Sequence, residues 1–237
     1  ASQALREGFT KYTESNGIPD LRKELAASYA RRYATPWGPG EVLITVGGKA
    51  ALFEVATALF EPGQEVIIPS PCWVSIPEQV RLMGADPVFV ATSCDDGFGV
   101  PAARVLEAMT PRTRAVILNS PCNPTGGVIA AEDVEAIVTE CARRGLLLIF
   151  DETYERFVYD GREHASAARW AANFPETVVV VGSFSKTYAM TGWRVGYALG
   201  PKELISQAAV VQSHATSNAT SFAMVGALAA LRSAEPD

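Results

Sequence analysis

Short runs of apolar and β-branched residues, each bounded by Gly, Pro or Ser, alternate along the chain with longer segments whose apolar residues recur at helical spacing. Such alternation is typical of parallel strands joined by crossover helices, so it predicts an α/β fold. The predicted strands are residues 42–46, 65–69, 87–91, 114–119, 146–150, 177–181 and 194–199. The predicted helices are residues 20–33, 50–60, 74–83, 102–108, 131–144 and 202–211, with a further helical run at 218–232.

No long linker, repeat or charged tail divides these strands into two sets. We therefore expect one domain over residues 1–237, a three-layer α/β/α arrangement with a seven-stranded, mostly parallel sheet. Only residues 182–193 separate the last two strands, which is short for a crossover helix and favours an antiparallel last strand. Both ends look truncated, since Ala1 opens directly into a helix-like stretch and residues 234–237 end just after the last helical run.

Composition and charge narrow the possible chemistry. The net charge of −6 leaves no surplus of Lys and Arg to neutralise phosphates, which argues against a nucleic-acid partner. No apolar run reaches the roughly 20 residues needed to span a bilayer, and no signal pattern opens the chain. The 4 cysteines form no CxxC pair and only 2 histidines accompany them, so we expect free thiols, no metal site and a cytoplasmic location.

Residues that can carry chemistry follow the ends of five predicted strands. In open parallel sheets, ligands bind beyond the carboxyl ends of the strands, so these positions are the candidate site. In chain order they are Gly47-Gly48-Lys49, Cys72-Trp73, Asn123-Pro124, Asp151-Glu152-Thr153-Tyr154 and Ser183-Phe184-Ser185-Lys186.

Lys186 is placed where a flexible amine can meet an aldehyde, although taken alone it would more often be a surface lysine at a helix start. Asp151 ends an apolar run, where a buried carboxylate needs a cationic partner. A protonated pyridinium nitrogen is one such partner, and a helix N-cap is the alternative role. Tyr154 lies three residues further on, within one helical turn, so its phenol could reach the same ring or simply pack in the core.

Three strand ends offer donors for a phosphate. Gly48 opens a predicted helix whose backbone N–H groups point at an anion, and Ser183 and Ser185 add hydroxyls. Arg194 can grip a phosphate through two parallel hydrogen bonds, which lysine cannot copy. The alternatives are an ordinary tight turn at the glycines and a surface ion pair for the arginine.

Two further side chains suit a flat, polar ligand. Trp73 could stack on a heteroaromatic ring, and Asn123 could donate its amide to a ring oxygen or to a substrate carboxylate. Ordinary core packing and turn formation are the respective alternatives.

Four motifs at consistent order and spacing carry a family resemblance. They are Val46-Gly47-Gly48-Lys49, Asn123-Pro124-Thr125-Gly126, Asp151-Glu152-x-Tyr154, and Ser183-x-Ser185-Lys186 followed by Met190-Thr191-Gly192-Trp193-Arg194-Val195-Gly196-Tyr197. From about Lys11 to Ser221 the chain resembles the fold-type I pyridoxal-phosphate-dependent aminotransferases of class I/II. With Ser217-Asn218-Ala219-Thr220-Ser221, it is most similar to the bacterial aspartate/prephenate subgroup.

The resemblance implies the large domain of the aminotransferase fold, with the C-terminal small domain and its carboxylate-binding arginine missing. It implies Lys186 as the lysine that forms an aldimine with pyridoxal 5'-phosphate (PLP) and moves the proton, Asp151 on the ring nitrogen and Tyr154 near the ring oxygen. The implied cofactor-binding residues are Gly48, Lys49, Trp73, Asn123, Asp151, Tyr154, Ser183, Ser185, Lys186, Arg194 and, from the neighbouring subunit, Tyr12. The implied substrate-binding residues are Lys49, Trp73 and Asn123.

The implied reaction is amino-group transfer between an amino acid, aspartate or glutamate-like because of Lys49, and a 2-oxo acid, in a homodimer. Two alternatives stay open. One is a different PLP-dependent reaction, a lyase or racemase, because fold does not fix function. The other is a PLP-binding core without turnover in this truncated form. Cys72 and Cys122 depart from residues common in the subgroup, which leaves the polarity of the pocket open.

Overall fold

A computed structural model describes residues 1–233, and residues 234–237, expected to follow the last helical run, lie outside the described part. The strands are β1 (Val42–Thr45), β2 (Glu65–Ser70), β3 (Asp86–Ala91), β4 (Thr113–Asn119), β5 (Leu147–Asp151), β6 (Val178–Ser183) and β7 (Gly196–Leu199). The helices are α1 (Ser2–Arg6), α2 (Pro19–Tyr33), α3 (Gly48–Leu59), α4 (Ser75–Leu82), α5 (Ala102–Glu107), α6 (Ala131–Arg144), α7 (Phe184–Thr187), α8 (Lys202–Ala215) and α9 (Ser221–Ser233). None of these helices is long and apolar enough to cross a membrane.

The strands form one seven-stranded mixed sheet in the order β1-β7-β6-β5-β4-β2-β3. Strand β2 runs parallel to β3 and to β4, and β4 runs parallel to β5. Strand β7 pairs antiparallel with β1, with Tyr197 opposite Ile44. The predicted seven-stranded α/β fold and its antiparallel last strand are therefore confirmed.

Residues 59–180 form one compact unit, which contains β2 to β5 and α4 to α6. Every residue of β5 is buried, as expected for a strand covered on both faces. Helix α6 has the predicted bounds because its ends are well marked. Glu132 and Asp133 lie in its first turn, Arg143 and Arg144 lie in its last, and Gly145 ends it in a left-handed conformation.

The other compact unit combines residues 1–58 with the chain from residue 181 onward. Its N-terminal segment is held by side chains from the two last helices. Ser221 donates to the carbonyl oxygen of Phe9 over 2.9 Å. The buried Gln212 amide donates to the carbonyl oxygens of Ser15 and Ile44, and the latter bond is 2.8 Å long. The first residues of the chain thus depend on α8 and α9 for their position.

Most predicted boundaries differ from the structure by up to four residues, and three of these differences have a structural reason. Helix α3 begins at Gly48 rather than at residue 50, so the glycine turn forms its first residue. Helix α8 continues to Ala215 rather than ending at residue 211, because Gln212 is one of its buried residues. Strand β7 begins at Gly196 rather than at residue 194, because Arg194 has a left-handed backbone with φ 53° and ψ 54°. The prediction of one domain over residues 1–237 stays a prediction.

Candidate active site

Gly47 and Gly196 allow an unusually close approach of chain segments at the start of α3. Gly47 has φ +84°, and a Cβ there would collide with the guanidinium of Arg194. A Cβ on Gly196 would collide with the backbone of Gly47 and Gly48. Only glycine fits both positions, so the backbone at the N-terminus of α3 comes directly against Arg194 and the start of β7.

Arg194 points its guanidinium into this corner from a left-handed backbone, which is rare for a residue with a side chain. Its Nη1 donates to the carbonyl oxygen of Thr191 over 2.9 Å and lies 3.4 Å from the hydroxyl of Ser185. The first N–H groups of α3 have no partner inside the helix, which suits them to an anion. We call Gly47, Gly48, Ser185 and Arg194 the anion cradle.

Lys186 lies in the short helix α7, directly after the cradle residue Ser185. Ser183 caps this helix, since its hydroxyl oxygen accepts the backbone N–H of Ser185 over 3.1 Å. The same hydroxyl donates to the carbonyl oxygen of Val195 over 3.4 Å. The Ser183 hydroxyl thus caps α7 and fixes Ser185 and the half-buried Lys186, while its predicted contact with a phosphate stays a prediction.

Asp151 is the last residue of β5 and is only 4% exposed. Burial raises the pKa of its carboxyl to about 6, the negative charge of Glu152 adds to this rise, and hydrogen bonds from Thr153 oppose it. One of those bonds joins the Thr153 N–H to Oδ1 over 3.0 Å. The alternative role as a helix N-cap is wrong, because residues 153–156 form turns and no helix follows. Within residues 1–233, Asp151 makes no ion pair with a cationic side chain.

Asn119, which the sequence analysis did not single out, connects the ends of two strands. Its Oδ1 accepts the backbone N–H of Asn123 over 2.8 Å, and its Nδ2 donates to the carbonyl oxygen of Asp151 over 3.0 Å. The N–H of Ser120 also donates to that carbonyl over 3.0 Å. Asn119 thus fixes the position of Asn123 relative to Asp151. A polar residue at the carboxyl end of a predicted strand was the signal that could have revealed it.

Tyr154, Trp73 and Asn123 are half-buried residues of loops that follow β5, β2 and β4. Tyr154 lies in a turn rather than in the expected helical turn, and its ring meets that of Phe157 edge-on with 5.8 Å between the centroids. The carbonyl oxygen of Trp73 accepts the N–H of Ile76 over 3.0 Å, which leads into α4. These three residues belong to the same compact unit as Asp151.

Tyr12 and Lys49 are exposed residues of the other unit. Tyr12 is 87% exposed and lies in the segment that Ser221 and Gln212 hold in place. Lys49 is the second residue of α3, directly after the cradle residue Gly48. Both side chains are therefore placed where they can meet molecules from solution.

The two unusual cysteines line a small, mostly apolar cavity of about 20 Å³, which is room for one water molecule. Burial raises the pKa of the Cys72 thiol, and the Sγ of Cys122 lies 3.5 Å from the carbonyl oxygen of Pro71. Asn119 lies in the wall of this cavity. All 4 cysteines are free thiols.

Known proteins match this chain over nearly its whole length. A family model described as aminotransferase class I and II matches residues 1–236. The aspartate aminotransferase of Geobacillus stearothermophilus is 44% identical over 230 residues, which cover 97% of this chain and 58% of that protein. The aspartate/prephenate aminotransferase of Thermus thermophilus is 44% identical over 235 residues, covering 99% and 60%. A solved structure of the aspartate aminotransferase from Thermus thermophilus with maleate has a TM-score of 0.93 at 44% identity, covering 97% and 59%.

The chain therefore spans 58 to 60% of the length of these curated relatives. Within that span, the family model, the sequence identity and the superposed fold all agree with the resemblance carried by the four motifs. The chain belongs to the aminotransferase class I and II family, whose members depend on PLP.

Proposed function

We propose that this chain binds PLP covalently through Lys186 and takes part in amino-group transfer between an amino acid and a 2-oxo acid. The observation that carries the proposal is the anion cradle beside Lys186. Arg194, Ser185 and the N-terminus of α3 offer a guanidinium, a hydroxyl and backbone N–H groups, which is a donor set suited to a phosphate. Lys186 follows Ser185 in α7, so an amine stands beside the donors that would hold the phosphate.

The unit formed by residues 59–180 contains a carboxylate suited to a pyridine ring nitrogen. Asp151 is buried, has no cationic partner within residues 1–233, and has a pKa raised to about 6. A protonated pyridine nitrogen would supply the missing cation, and the carboxylate would keep that proton in place. We further propose that Trp73 stacks on the ring and that Tyr154 and Asn123 bind the ring oxygen.

PLP, when bound, supplies an electron-withdrawing ring that stabilises negative charge at the substrate Cα. Asp151 would hold the proton on the ring nitrogen and so maintain that withdrawal. Nζ of Lys186 would hold the cofactor and, when free, would take up the proton released at the substrate Cα. Asn119 contributes by fixing Asn123 and the end of β5.

Aspartate or glutamate is the proposed amino donor. Lys49 is an exposed cation at the start of α3, next to the cradle, and would bind the distal carboxylate of such a substrate. Two relatives in the bacterial subgroup carry aspartate in their names, which supports the same choice. The free thiols suit a reducing compartment, so we propose a cytoplasmic location.

A homodimer is the proposed assembly. Tyr12 is 87% exposed, yet its segment is fixed at both ends by Ser221 and Gln212. A tyrosine that is exposed and held in place suits a contact outside its own subunit. We propose that it reaches the cofactor phosphate of the neighbouring subunit.

The proposal is tested by titrating the 237-residue chain with PLP and following absorbance, then reducing with borohydride and mapping the modified peptide by mass spectrometry. We expect the pyridoxyl group on Lys186 and its loss in Lys186→Ala. Lys202→Ala, at an exposed lysine at the start of α8, is the matched control and should retain the label. Labelling that survives Lys186→Ala would refute the assignment.

Amino-group transfer is tested next, by adding aspartate to the PLP-loaded chain and then 2-oxoglutarate. We expect aspartate to convert the cofactor to its amine form and the 2-oxo acid to restore the aldehyde. If the aldehyde form of the cofactor returns without an added 2-oxo acid, the result would point to a lyase or racemase. If neither aspartate nor glutamate changes the absorbance of the PLP-loaded chain, amino-group transfer by this chain would be refuted. PLP binding would still stand.

A further inference from the structure

Cys72 and Cys122 lie close together in the unit formed by residues 59–180. The thiol of Cys122 donates to the carbonyl oxygen of Pro71 over 3.5 Å. That oxygen and the Cα of Cys72 belong to one planar peptide group and are about 3 Å apart. The Sγ of Cys122 is therefore at most about 6.5 Å from the Cα of Cys72.

Both side chains have room to move towards each other. Cys72 and Cys122 are half-buried, and they line the same cavity of about 20 Å³, which is the space of one water molecule. They lie in the loops that follow β2 and β4, not in the strands themselves. A disulfide spans about 4.4–6.8 Å between Cα atoms, so rotation of the side chains with a small shift of these loops can join the two sulfurs.

The electrostatic surroundings of Cys72 agree with this proximity. Burial raises the pKa of the Cys72 thiol, a negative charge on Cys122 raises it further, and the charge of Arg81 opposes both effects. The thiolate is the nucleophilic form of a cysteine, and a raised pKa keeps Cys72 protonated. Cys122 is therefore the thiol that should react first with an oxidant from solution.

We propose that Cys72 and Cys122 form a reversible redox site, which a small disulfide such as oxidised glutathione converts to an intrachain disulfide. The Cys122 thiolate attacks one sulfur of the small disulfide and releases the first thiolate. The Cys72 thiolate then attacks the Cys122 sulfur and releases the second. Two protein thiols are oxidised, one small disulfide is reduced to two thiols, and the protons of the protein thiols pass to the released thiolates.

The bond would link two loops that carry residues proposed to bind the cofactor, and this part of the inference rests on the proposed function. Cys72 directly precedes Trp73, and Cys122 directly precedes Asn123. Joining the sulfurs moves both of these neighbours, so the oxidised chain should bind PLP less tightly. A disulfide that strains its loops is also easily reduced, which suits a reversible site better than a structural bond.

The first test treats the folded chain with excess oxidised glutathione in a Cys94→Ser background, which removes the exposed cysteine. After free thiols are blocked, peptide mapping should show a bond between Cys72 and Cys122 that dithiothreitol removes. Cys72→Ser in this background is the matched variant. It cannot complete the second step, so glutathione should stay attached to Cys122. If the bond is absent from the folded chain, or forms only in urea, the proposal is overturned.

PLP titration of the reduced and oxidised chains measures the effect on cofactor binding. We expect the dissociation constant to rise about tenfold on oxidation, which corresponds to the loss of about one hydrogen bond, and to recover after reduction. The double variant Cys72→Ser/Cys122→Ser should bind PLP equally well before and after the same treatment. Equal affinities of the reduced and oxidised parent chain would overturn the effect on the cofactor site. If the disulfide forms but neither form binds PLP, the redox site stands and only the proposed function is rejected.

Discussion

The guanidinium of Arg194 lies where a side chain on residue 47 would have to stand. The two residues belong to different strand ends of one compact unit, and each depends on an unusual backbone. Gly47 has φ +84° and Arg194 has φ +53°. Because residue 47 has no Cβ, the guanidinium can reach the N-terminus of α3. The anion cradle therefore depends on the glycine at this position as well as on its hydrogen-bond donors.

Gly47→Ala is expected to weaken PLP binding about tenfold or more, because the new Cβ displaces Arg194 and costs it a charge-assisted hydrogen bond. It should also destabilise the fold by more than the roughly 1–2 kcal/mol of a left-handed backbone. PLP titration and urea unfolding measure the two effects. Gly63→Ala is the matched control, with the same φ of 84° and open space around its Cα. Equal PLP affinity in both variants would contradict the cradle.

Arg194→Lys keeps the positive charge and loses the planar pair of donors. We expect PLP affinity to fall roughly 10- to 100-fold, because a point charge cannot make two parallel hydrogen bonds to a phosphate. Arg143→Lys is the control, since that residue pairs with Glu140 on the surface of α6. If wild type and Arg194→Lys give the same PLP affinity in absorbance titrations, a contact between Arg194 and the phosphate would be ruled out.

Asn119→Ala removes both hydrogen bonds that join the end of β4 to Asn123 and Asp151. The expected loss of stability is about 1–3 kcal/mol, because the Asn123 N–H is left without its acceptor. Asn119→Asp keeps that acceptor and loses only the donor to Asp151, whose carbonyl oxygen retains the Ser120 N–H. Urea unfolding should therefore rank Asn119→Asp between wild type and Asn119→Ala, and the reverse order would contradict this account.

Glu54 makes the stability of the fold depend on pH between about 4.5 and 8. Burial raises the pKa of this carboxyl to about 8, and its Oε2 has no hydrogen-bond partner in the described part of the chain. The folded state keeps its proton while the unfolded chain releases it near pH 4.5, the ordinary value. Stability should therefore fall as the pH rises from about 4.5 to 8 and then level off, by roughly 3–5 kcal/mol in total from this group.

Glu54→Gln stays neutral throughout that range, so its free energy of unfolding should lose most of this dependence on pH. Urea unfolding at pH 5 and pH 8 measures the difference. Glu61→Gln changes an exposed carboxyl and should follow the wild type. If the wild-type protein is equally stable at both pH values, Glu54 is ionised in the folded state at no cost in the free energy of unfolding.

Much of the fold could be predicted because its signals are local. Strand β5 is a continuous apolar run, and α6 carries acidic residues at its start and basic residues at its end. Arg194 was misplaced in a strand because the residues after it do form β7. Its left-handed backbone accompanies contacts of its guanidinium with the distant residues Gly47 and Ser185, which no local pattern records.

The residues of the candidate site also differ in whether the sequence alone reveals them. Lys186, Asp151 and Arg194 stand in recognisable motifs, so they were named from the sequence alone. Asn119 was missed because its role depends on two backbone groups in other segments. Oε2 of Glu152 and Nε2 of His164 lie 3.2 Å apart on either side of an irregular loop, and this contact has no periodic signature in the sequence. Positioning residues of this kind become visible only when the chain is folded.

The division of the chain has a consequence for its synthesis. Residues 59–180 are continuous in sequence, whereas the unit that begins at residue 1 is completed only by residues from 181 onward. At ribosomal speeds of about 5–20 residues per second, the first 58 residues wait on the order of 6 to 25 seconds before the second part of their unit begins to be made. The carbonyls of Phe9 and Ser15 meet Ser221 and Gln212 still later. During that interval these two carbonyl oxygens lack the side-chain donors that hold them in the folded protein.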